Sequence, residues 1–141
     1  MPMTMHVDIV SAEESIYSGP VEEVYAPAEM GEVGIFPRHS PFISRLKPGE
    51  VRVKPEGKQE LEFYFVSGGI LEIQPHVVTV LADTAVRAKD LDEAAALEAK
   101  QRAEQLLSDN KGEIDYARAQ SELLEAIAQL RMIEKMRKNL K

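Results

Sequence analysis

Cysteine and tryptophan are both absent from this sequence of 141 residues. Without cysteine the chain cannot form disulfide bonds or thiolate metal sites, and nothing indicates an oxidising compartment. No apolar stretch approaches the roughly 20 residues that a membrane-spanning helix needs. The first ten residues, MPMTMHVDIV, lack the basic segment and the apolar core of a secretory signal. These absences predict a soluble cytoplasmic protein that meets a membrane only through a partner.

Sequence signs of catalysis and of metal binding are also scarce. The three histidines, His6, His39 and His76, do not have metal-ligand spacing from one another or from a helical carboxylate. No serine lies in a G-x-S-x-G turn, and the acidic residues are scattered along the chain. The net charge of −7 argues against nucleic acid as the main partner. We therefore expect a non-catalytic protein with no metal site and no nucleic-acid partner.

The first half of the sequence alternates between apolar and polar residues, which is the pattern of half-buried strands. In the first run the apolar face consists of Met3, Met5, Val7 and Ile9. In the run 61–66 an apolar face opposes a polar one, with Leu61, Phe63 and Phe65 against Glu62 and Tyr64. The turn signals SGP, KPGE, PEGK, SGG and QPH separate such runs. An antiparallel β-sandwich or barrel is predicted over residues 1–87.

The period changes to a helical one after residue 87. The run that follows Asp90 is rich in Ala, Leu, Glu, Lys and Arg, and Asp90 with Glu93 resembles a capping box. After the turn SDNKG a second helical run of about 27 residues carries one apolar stripe: Leu123, Ile127, Leu130, Ile133, Met136 and Leu140. An antiparallel two-helix hairpin is expected over residues 88–141, and the predicted fold class is α+β. Because alanine buries little area, the hairpin is either a fixed brace or a weakly closed switch.

Segment 30–42, MGEVGIFPRHSPF, lies between two strand patterns and poses the main functional question. It lacks the G-K-[ST] ending and the following helix of a phosphate-binding loop. Pro37 and Pro41 fix the backbone and remove hydrogen-bond donors, so we expect a stiff loop outside the sheet. Such a loop is either an ordinary connection or a protein contact. The charges of Glu32, Arg38 and His39 would set the register of a contact.

Four stretches resemble one known family. They are VDIVSAEESIYSGPVEEV, GEVGIFPRHSPF, VSGGILEIQPHVVTVLADTAVRAKDLDEA and IAQLR, and they occur in the family's order and spacing. Together they resemble the epsilon subunit of the bacterial F-type ATP synthase over almost the entire chain. The resemblance implies a β-sandwich followed by a helical hairpin. It also implies a non-catalytic rotor subunit at the cytoplasmic face of the inner membrane, attached to the membrane only through the complex.

The resemblance further implies three partners and the residues that meet them. Segment 30–42 would dock on the c-ring through Glu32, Gly34, Arg38 and His39. Ser11 would lie against the gamma subunit. The helical hairpin would extend into the alpha/beta catalytic head and block ATP hydrolysis, with contacts from Ser108, Arg131, Lys135, Arg137 and Lys138.

A nucleotide-binding motif of the family is incomplete in this sequence. Leu91 and Asp92 match its first two positions, but Ala95 stands where an arginine is required. Without that guanidinium, bidentate phosphate recognition is lost, so we expect no cofactor and at most weak ATP binding by the isolated chain. Two rival readings remain: a nucleotide-sensing module whose hairpin closes on ATP, and a β-sandwich enzyme with a helical lid.

Overall fold

The computed structural model describes residues 3–109 and 113–139, without the side chains of residues 89, 109, 113–116 and 136–139. The chain divides into two compact units, one through Ala88 and one from Lys89. Strands build the first unit, and two α-helices build the second. This composition confirms the predicted α+β fold class.

Nine strands are described between residues 3 and 88. They are β1 (Met5–Ser11), β2 (Ser15–Ala28), β3 (Gly31–Ile35), β4 (Phe42–Leu46), β5 (Gly49–Pro55), β6 (Glu62–Val66), β7 (Gly69–Ile73), β8 (Val77–Ala82) and β9 (Ala85–Arg87). Hydrogen bonds join eight of them in the order β1-β8-β7-β4-β2-β5-β6-β9, and β3 pairs with β2. The 14-residue β2 is shared: it pairs with β1 near its start and with β3 and β5 towards its end.

One pairing differs from the antiparallel expectation. β1 runs parallel to β8, with Val7 opposite Val78 and Ile9 opposite Val80. The other pairings among the described strands are antiparallel. An apolar–polar alternation reports only which face of a strand is buried, because side chains alternate in the same way in both kinds of pairing. The sequence pattern therefore carried no information about this strand direction.

The core of the sandwich is mainly aliphatic and in most strands uses alternate positions, as the sequence pattern predicted. It includes Met5, Val7 and Ile9 of β1, Val51 and Val53 of β5, Leu71 and Ile73 of β7, and Val78 and Val80 of β8. Burial of one such side chain contributes roughly 1.5–3 kcal/mol. Met3 lies before β1 and remains exposed.

In β6 Phe65 is fully buried, as predicted, but Tyr64 and Val66 on the other face are buried too, so burial does not alternate along this strand. Tyr64 and Val66 belong to the core, whereas Phe63 is only half-buried. The Tyr64 hydroxyl donates a hydrogen bond to Glu62 Oε2 at 2.9 Å, so a phenol can occupy a core position with its polar end satisfied. Burial, followed by this bond to Glu62, raises the pKa of Tyr64.

The second unit contains α1 (Glu93–Asp109) and α2 (Glu113–Asn139), and a short 3-10 helix (Ala88–Asp90) precedes α1. The predicted cap at Asp90 is wrong, because α1 begins two residues later than expected. Asp92 is the N-cap: its Oδ1 accepts a hydrogen bond from Ala95 N at 3.2 Å, and its carbonyl accepts one from Ala96 N. Asp90 lies in the 3-10 turn instead.

Small residues form the seam where α1 and α2 contact each other. Ala96 and Ala103 of α1 and Ala119 and Ala126 of α2 are buried, and each pair is separated by seven residues. Such spacing keeps one face of each helix towards the other. In the predicted apolar stripe Ile133 is buried and Leu123, Ile127 and Leu130 are half-buried, while the Met136 side chain and Leu140 lie outside the described residues. Alanine thus supplies four buried positions of the seam, and Met132 and Ile133 are buried on α2 as well.

Candidate functional site

Segment 30–42 is not a loop throughout, which corrects the prediction. Its residues 31–35 form β3 and pair with β2, so Glu32 and Gly34 lie on a strand. Arg38 and His39 lie in the turn that follows, and the segment ends where β4 begins at Phe42. Both prolines fall within residues 36–41, where no ladder donor is needed. The four predicted docking residues therefore occupy two different places in one connection.

Glu32 belongs to a charged and aromatic cluster that spans three strands. Its Oε1 accepts a hydrogen bond from Nη2 of Arg52 on β5. The Arg52 guanidinium lies over the phenol ring of Tyr25, 4.7 Å from its centroid. Phe36 packs edge-on against Tyr25 with a centroid distance of 6.3 Å. We call Glu32, Tyr25, Phe36, Glu50 and Arg52 the Arg52 cluster; Glu50 Oε1 lies 3.8 Å from Arg52 Nε.

Gly34 leaves the surface of this cluster open. It is exposed and directly opposite Tyr25 in the β2–β3 ladder. A Cβ atom at Gly34 would lie 3.4 Å from Tyr25 Cε1, which is ordinary van der Waals contact. An alanine therefore fits there, but a longer side chain would cover the phenol ring.

The turn at residues 36–39 holds Arg38 in an unusual conformation. His39 N donates to Phe36 O at 3.2 Å, with Pro37 at the second position and Arg38, at φ 67°, at the third. A positive φ at the third position is the signature of a type II turn, which normally carries glycine there. Arg38 N donates to Pro75 O at 2.9 Å, and His39 Nδ1 lies 2.6 Å from Ser40 O. The Arg38 side chain is exposed.

Ser11 ends β1 and shapes the turn that leads to β2. Its hydroxyl donates to Glu14 O at 3.3 Å, and its Oγ also accepts from Glu14 N at 3.3 Å. The residue lines an open depression of about 430 Å³ on the sandwich surface, together with Gly69, Ile70 and Leu81. The predicted gamma-contact residue is thus part of a formed concave surface.

A partly exposed row of apolar side chains adjoins Ser11. Val10 pairs with Leu81 across β1 and β8, and Leu81 pairs with Ile70 across β8 and β7. Ile70 and Leu81 remain 47% and 48% exposed. Gly69 permits the close approach of these strands, because a Cβ there would lie 2.0 Å from Leu81 O. We call Val10, Ile70 and Leu81 the apolar band.

The incomplete nucleotide motif lies at the start of α1. Asp92 is occupied as the helix N-cap, Leu91 is half-buried, and Ala95 is exposed. Farther along, α1 and α2 enclose a groove of about 310 Å³ that is lined by Arg102, Glu122, Glu125 and Gln129, among others. Its two carboxylates would repel a phosphate group placed beside Arg102.

The predicted head contacts lie along both helices. Ser108, in the last turn of α1, is exposed and donates its hydroxyl hydrogen to Gln105 O at 2.9 Å. Arg131 and Lys135, one turn apart on α2, are also exposed. The side chains of Arg137 and Lys138 lie outside the described residues. No metal-binding group of three His, Asp or Glu side chains occurs in the described part of the chain.

Comparisons with known proteins agree over both units. The family profile for the β-sandwich domain of the ATP synthase delta/epsilon chain matches residues 4–88, and that for its long α-helix domain matches residues 89–134. The ATP synthase epsilon chain of Nitrosococcus oceani is 69% identical over 141 residues, which is 99% of each chain. The chain belongs to the ATP synthase epsilon chain family. The epsilon chain of Thioalkalivibrio sulfidiphilus is 69% identical over 139 residues, again 99% of each chain.

Solved structures show the same fold at low identity. A chain of the Euglena gracilis mitochondrial ATP synthase matches with a TM-score of 0.72 and 20% identity, covering 100% of this chain and 84% of that one. A chain of the Tetrahymena thermophila mitochondrial ATP synthase, from a structure of its central stalk and c-ring, matches with a TM-score of 0.60 and 14% identity, covering 95% and 96%. Within the described residues, no helix is both long enough and apolar enough to span a membrane.

Sequence reasoning missed Tyr25, Arg52, Ile70 and Leu81. A signal existed for Leu81: the inward positions of its strand are Val78, Val80 and Ala82, so alternation puts this leucine on the outer face. No comparable signal existed for Arg52, which lies 20 residues from Glu32 and meets it only through strand pairing.

Proposed function

We propose that this chain is a non-catalytic central-stalk subunit of the rotor of a proton-translocating F1Fo ATP synthase. In this role it couples the gamma subunit to the c-ring, and its C-terminal helices inhibit ATP hydrolysis. The supporting observation is the match to epsilon chains over 99% of the sequence, which includes both the sandwich and the helices. The Tetrahymena chain of similar fold comes from a structure described as central stalk and c-ring.

The apolar band supports contact with the gamma subunit. Its exposed side chains, the depression beside them and Ser11 form one continuous surface on β1, β7 and β8. A partner that fills this depression gains roughly 25 cal/mol for each Å² of apolar surface removed from water. The edge of the depression at Asp83 adds an acceptor for a polar side chain at the rim.

The other proposed contact is polar. Glu32, Arg38 and His39 present charged or titratable groups on β3 and in the turn after it, which fits the c-ring's water-exposed loops better than an apolar surface. Membrane association in this proposal comes only through the complex, at the cytoplasmic face of the bacterial inner membrane. The chain's own described helices supply no membrane span.

The helical unit is the proposed brake on the alpha/beta catalytic head. Its alanine seam closes the hairpin with little buried area, and Leu97, Leu106 and Leu124 remain about half exposed. An extended hairpin would bring Ser108 near the head and place the basic end of α2, from Arg131 and Lys135 onwards, against acidic surface there. Single exposed ion pairs contribute only about 0–1 kcal/mol, so several must act together.

The two rival functions find less support. For a nucleotide sensor, Ala95 supplies no guanidinium and the interhelical groove carries Glu122 and Glu125, so we propose that no cofactor is bound. For an enzyme, the surface cluster of His6, Asp8 and Ser18 lacks triad geometry. His6 Nε2 contacts both partners at 3.0 Å, while Ser18 donates its hydroxyl hydrogen directly to Asp8 Oδ1 at 2.6 Å.

The test of the docking part of this proposal is binding to a matching complex of the catalytic head with gamma. Leu81→Glu places a charge in the apolar band, and because Leu81 is already half exposed the fold should persist. We expect at least about tenfold weaker binding, since burying an unpaired charge at an interface is strongly unfavourable. Met3→Glu, at another exposed apolar position on the sandwich unit, is the matched control and should bind normally. Equal binding by both variants would contradict docking through the band.

A further inference from the structure

We propose that Arg52 is a positioning residue for docking on the c-ring: it holds the Glu32 carboxylate ready to accept hydrogen bonds from N–H donors of the ring's exposed loop. This inference rests on the proposed function, because it assumes that Glu32 meets the ring. It adds a residue 20 positions away in sequence, on another strand, and it specifies the chemistry of the surface that Glu32 recognises.

Arg52 reaches Glu32 by crossing a whole strand. Arg52 lies opposite Tyr25 on β2, and β3 pairs along the other edge of β2. Two strand spacings amount to about 9–10 Å, which only a long side chain bridges. The side chain lies over the phenol ring of Tyr25, with the guanidinium 4.7 Å from its centroid, and ends at Glu32 Oε1. Tyr25 is therefore the support on which the ion pair rests.

The guanidinium is held from several sides, so its position is defined before any partner arrives. Tyr25 itself packs against Phe36 in a T-shaped arrangement, with the two ring centroids 6.3 Å apart. Glu50 lies 3.8 Å from the Arg52 Nε atom, and the Arg52 side chain is only 24% exposed. A planar cation stacked on an aromatic face loses less freedom than a free surface arginine when it binds a carboxylate.

Glu32 keeps the capacity to bind a partner while it is paired. Its side chain is 56% exposed, whereas that of Arg52 is mostly covered. A carboxylate has about four acceptor positions, so the bond from one guanidinium nitrogen leaves others for incoming donors. The matching partner surface carries amide, lysine or arginine N–H groups. A partner carboxylate at this place would be repelled.

The test is a double-mutant cycle on the full chain. The measured quantity is the Kd for detergent-solubilised c-rings that carry bound gamma. Arg52→Met keeps the apolar stem over Tyr25 but removes the guanidinium, and Glu32→Gln removes the acceptor charge. We expect each single variant to weaken binding about fivefold, as loss of one charge-assisted hydrogen bond predicts. The double variant should bind no more weakly than Glu32→Gln, because Arg52 acts through Glu32.

Lys54→Met is the matched control. Lys54 lies on the same strand, two residues from Arg52, and its Nζ is 3.8 Å from Glu22 Oε1, so it is a paired base of similar exposure outside the cluster. It should bind within about twofold of wild type. Thermal unfolding of every variant shows that the compared proteins are folded.

Three outcomes would overturn the inference, and they are distinguishable. Normal binding by Arg52→Met beside weak binding by Glu32→Gln would remove the role of Arg52 and leave ring docking intact. If the Kd increases of the two single variants multiply in the double variant, Arg52 acts independently of Glu32. Normal binding by Glu32→Gln would contradict docking through Glu32 itself, and with it this part of the proposed function. If Arg52→Met unfolds, Arg52→Lys tests the same cycle with the charge kept and the planar stack lost.

Discussion

Replacing Ala119 with leucine is predicted to open the helical hairpin. Ala119 is 1% exposed, and it lies on the seam with Ala103, which is fully buried. Within each helix the two seam alanines are seven residues apart, so they lie on the face that packs against the other helix. A leucine side chain at position 119 would therefore meet α1 and could not turn away to solvent. To accommodate it, the two helices must move apart near residue 119 or change shape there.

The size of the effect follows from packing. Adding methylene groups to a close-packed site costs typically about 1–3 kcal/mol. Ala117 is two residues away on the same helix but is exposed, and the same substitution there should change stability by no more than about 0.5 kcal/mol. Because both variants exchange alanine for leucine within α2, intrinsic helix propensity contributes equally to both.

Two assays measure the consequence. Urea unfolding of the full chain, followed by far-UV circular dichroism, should show a loss for Ala119→Leu and none for Ala117→Leu. In the proposed function the closed hairpin and the inhibiting, extended hairpin are in equilibrium. Destabilising the closed form by about 1–3 kcal/mol shifts this equilibrium about 5- to 150-fold towards the extended form. Ala119→Leu should therefore inhibit ATP hydrolysis more strongly than wild type. Equal stability of the two variants would contradict the claim that Ala119 is packed closely against α1. A destabilised Ala119→Leu that inhibits less would refute the link between opening and inhibition.

Three further predictions concern local features. Asp92→Ala removes the acceptor for Ala95 N and should destabilise the helical unit by about 1 kcal/mol in urea unfolding, whereas Asp92→Asn, which keeps a capping oxygen, should lose far less. Arg38→Gly relieves a non-glycine residue at φ 67° and should raise the sandwich's stability by about 0.5–1 kcal/mol; a lower Tm would contradict the turn geometry. The pKa of Tyr64 is raised above its ordinary 10.0 by burial and by Glu62, so the fold favours the neutral phenol. The contribution of Tyr64 to folding stability is therefore complete below pH 10 and is lost as the pH rises further. In Tyr64→Phe the midpoint urea concentration should therefore fall less as the pH rises above 10. If the midpoint depends on pH as steeply as in wild type, other groups cause the alkaline loss of stability.

Much of the fold could be read from periodicity, because burial imposes it. The alternation of Met5, Val7 and Ile9 predicted a strand with one core face, and the structure confirms it. The direction of strand pairing and the burial of both faces of β6 were harder to predict. The parallel pairing of β1 with β8 leaves no trace in a period of two. Tyr64 faces the core because Glu62 satisfies its hydroxyl, a partnership that residue class alone does not reveal.

The ends of the helices and strands, and clusters of residues distant in sequence, were the other features that the sequence did not predict correctly. Asp90 and Asp92 both offer a capping carboxylate, and only the path of the backbone decides that Asp92 caps α1. Pro37 and Pro41 indicated a loop, yet residues 31–35 pair with β2, because no proline interrupts that stretch. The Arg52 cluster depends on strand order, which brings distant residues side by side and cannot be deduced from local pattern.

The most direct test of the central claim is the rate of ATP hydrolysis by the matching catalytic head with gamma. It should be measured with the full chain and with a chain that ends at Ala88, where the sandwich unit ends. Binding of both forms is verified in the same samples. The account predicts that the full chain lowers the rate and that the shortened chain binds without lowering it. Equal rates with both forms bound would contradict a braking role for α1 and α2.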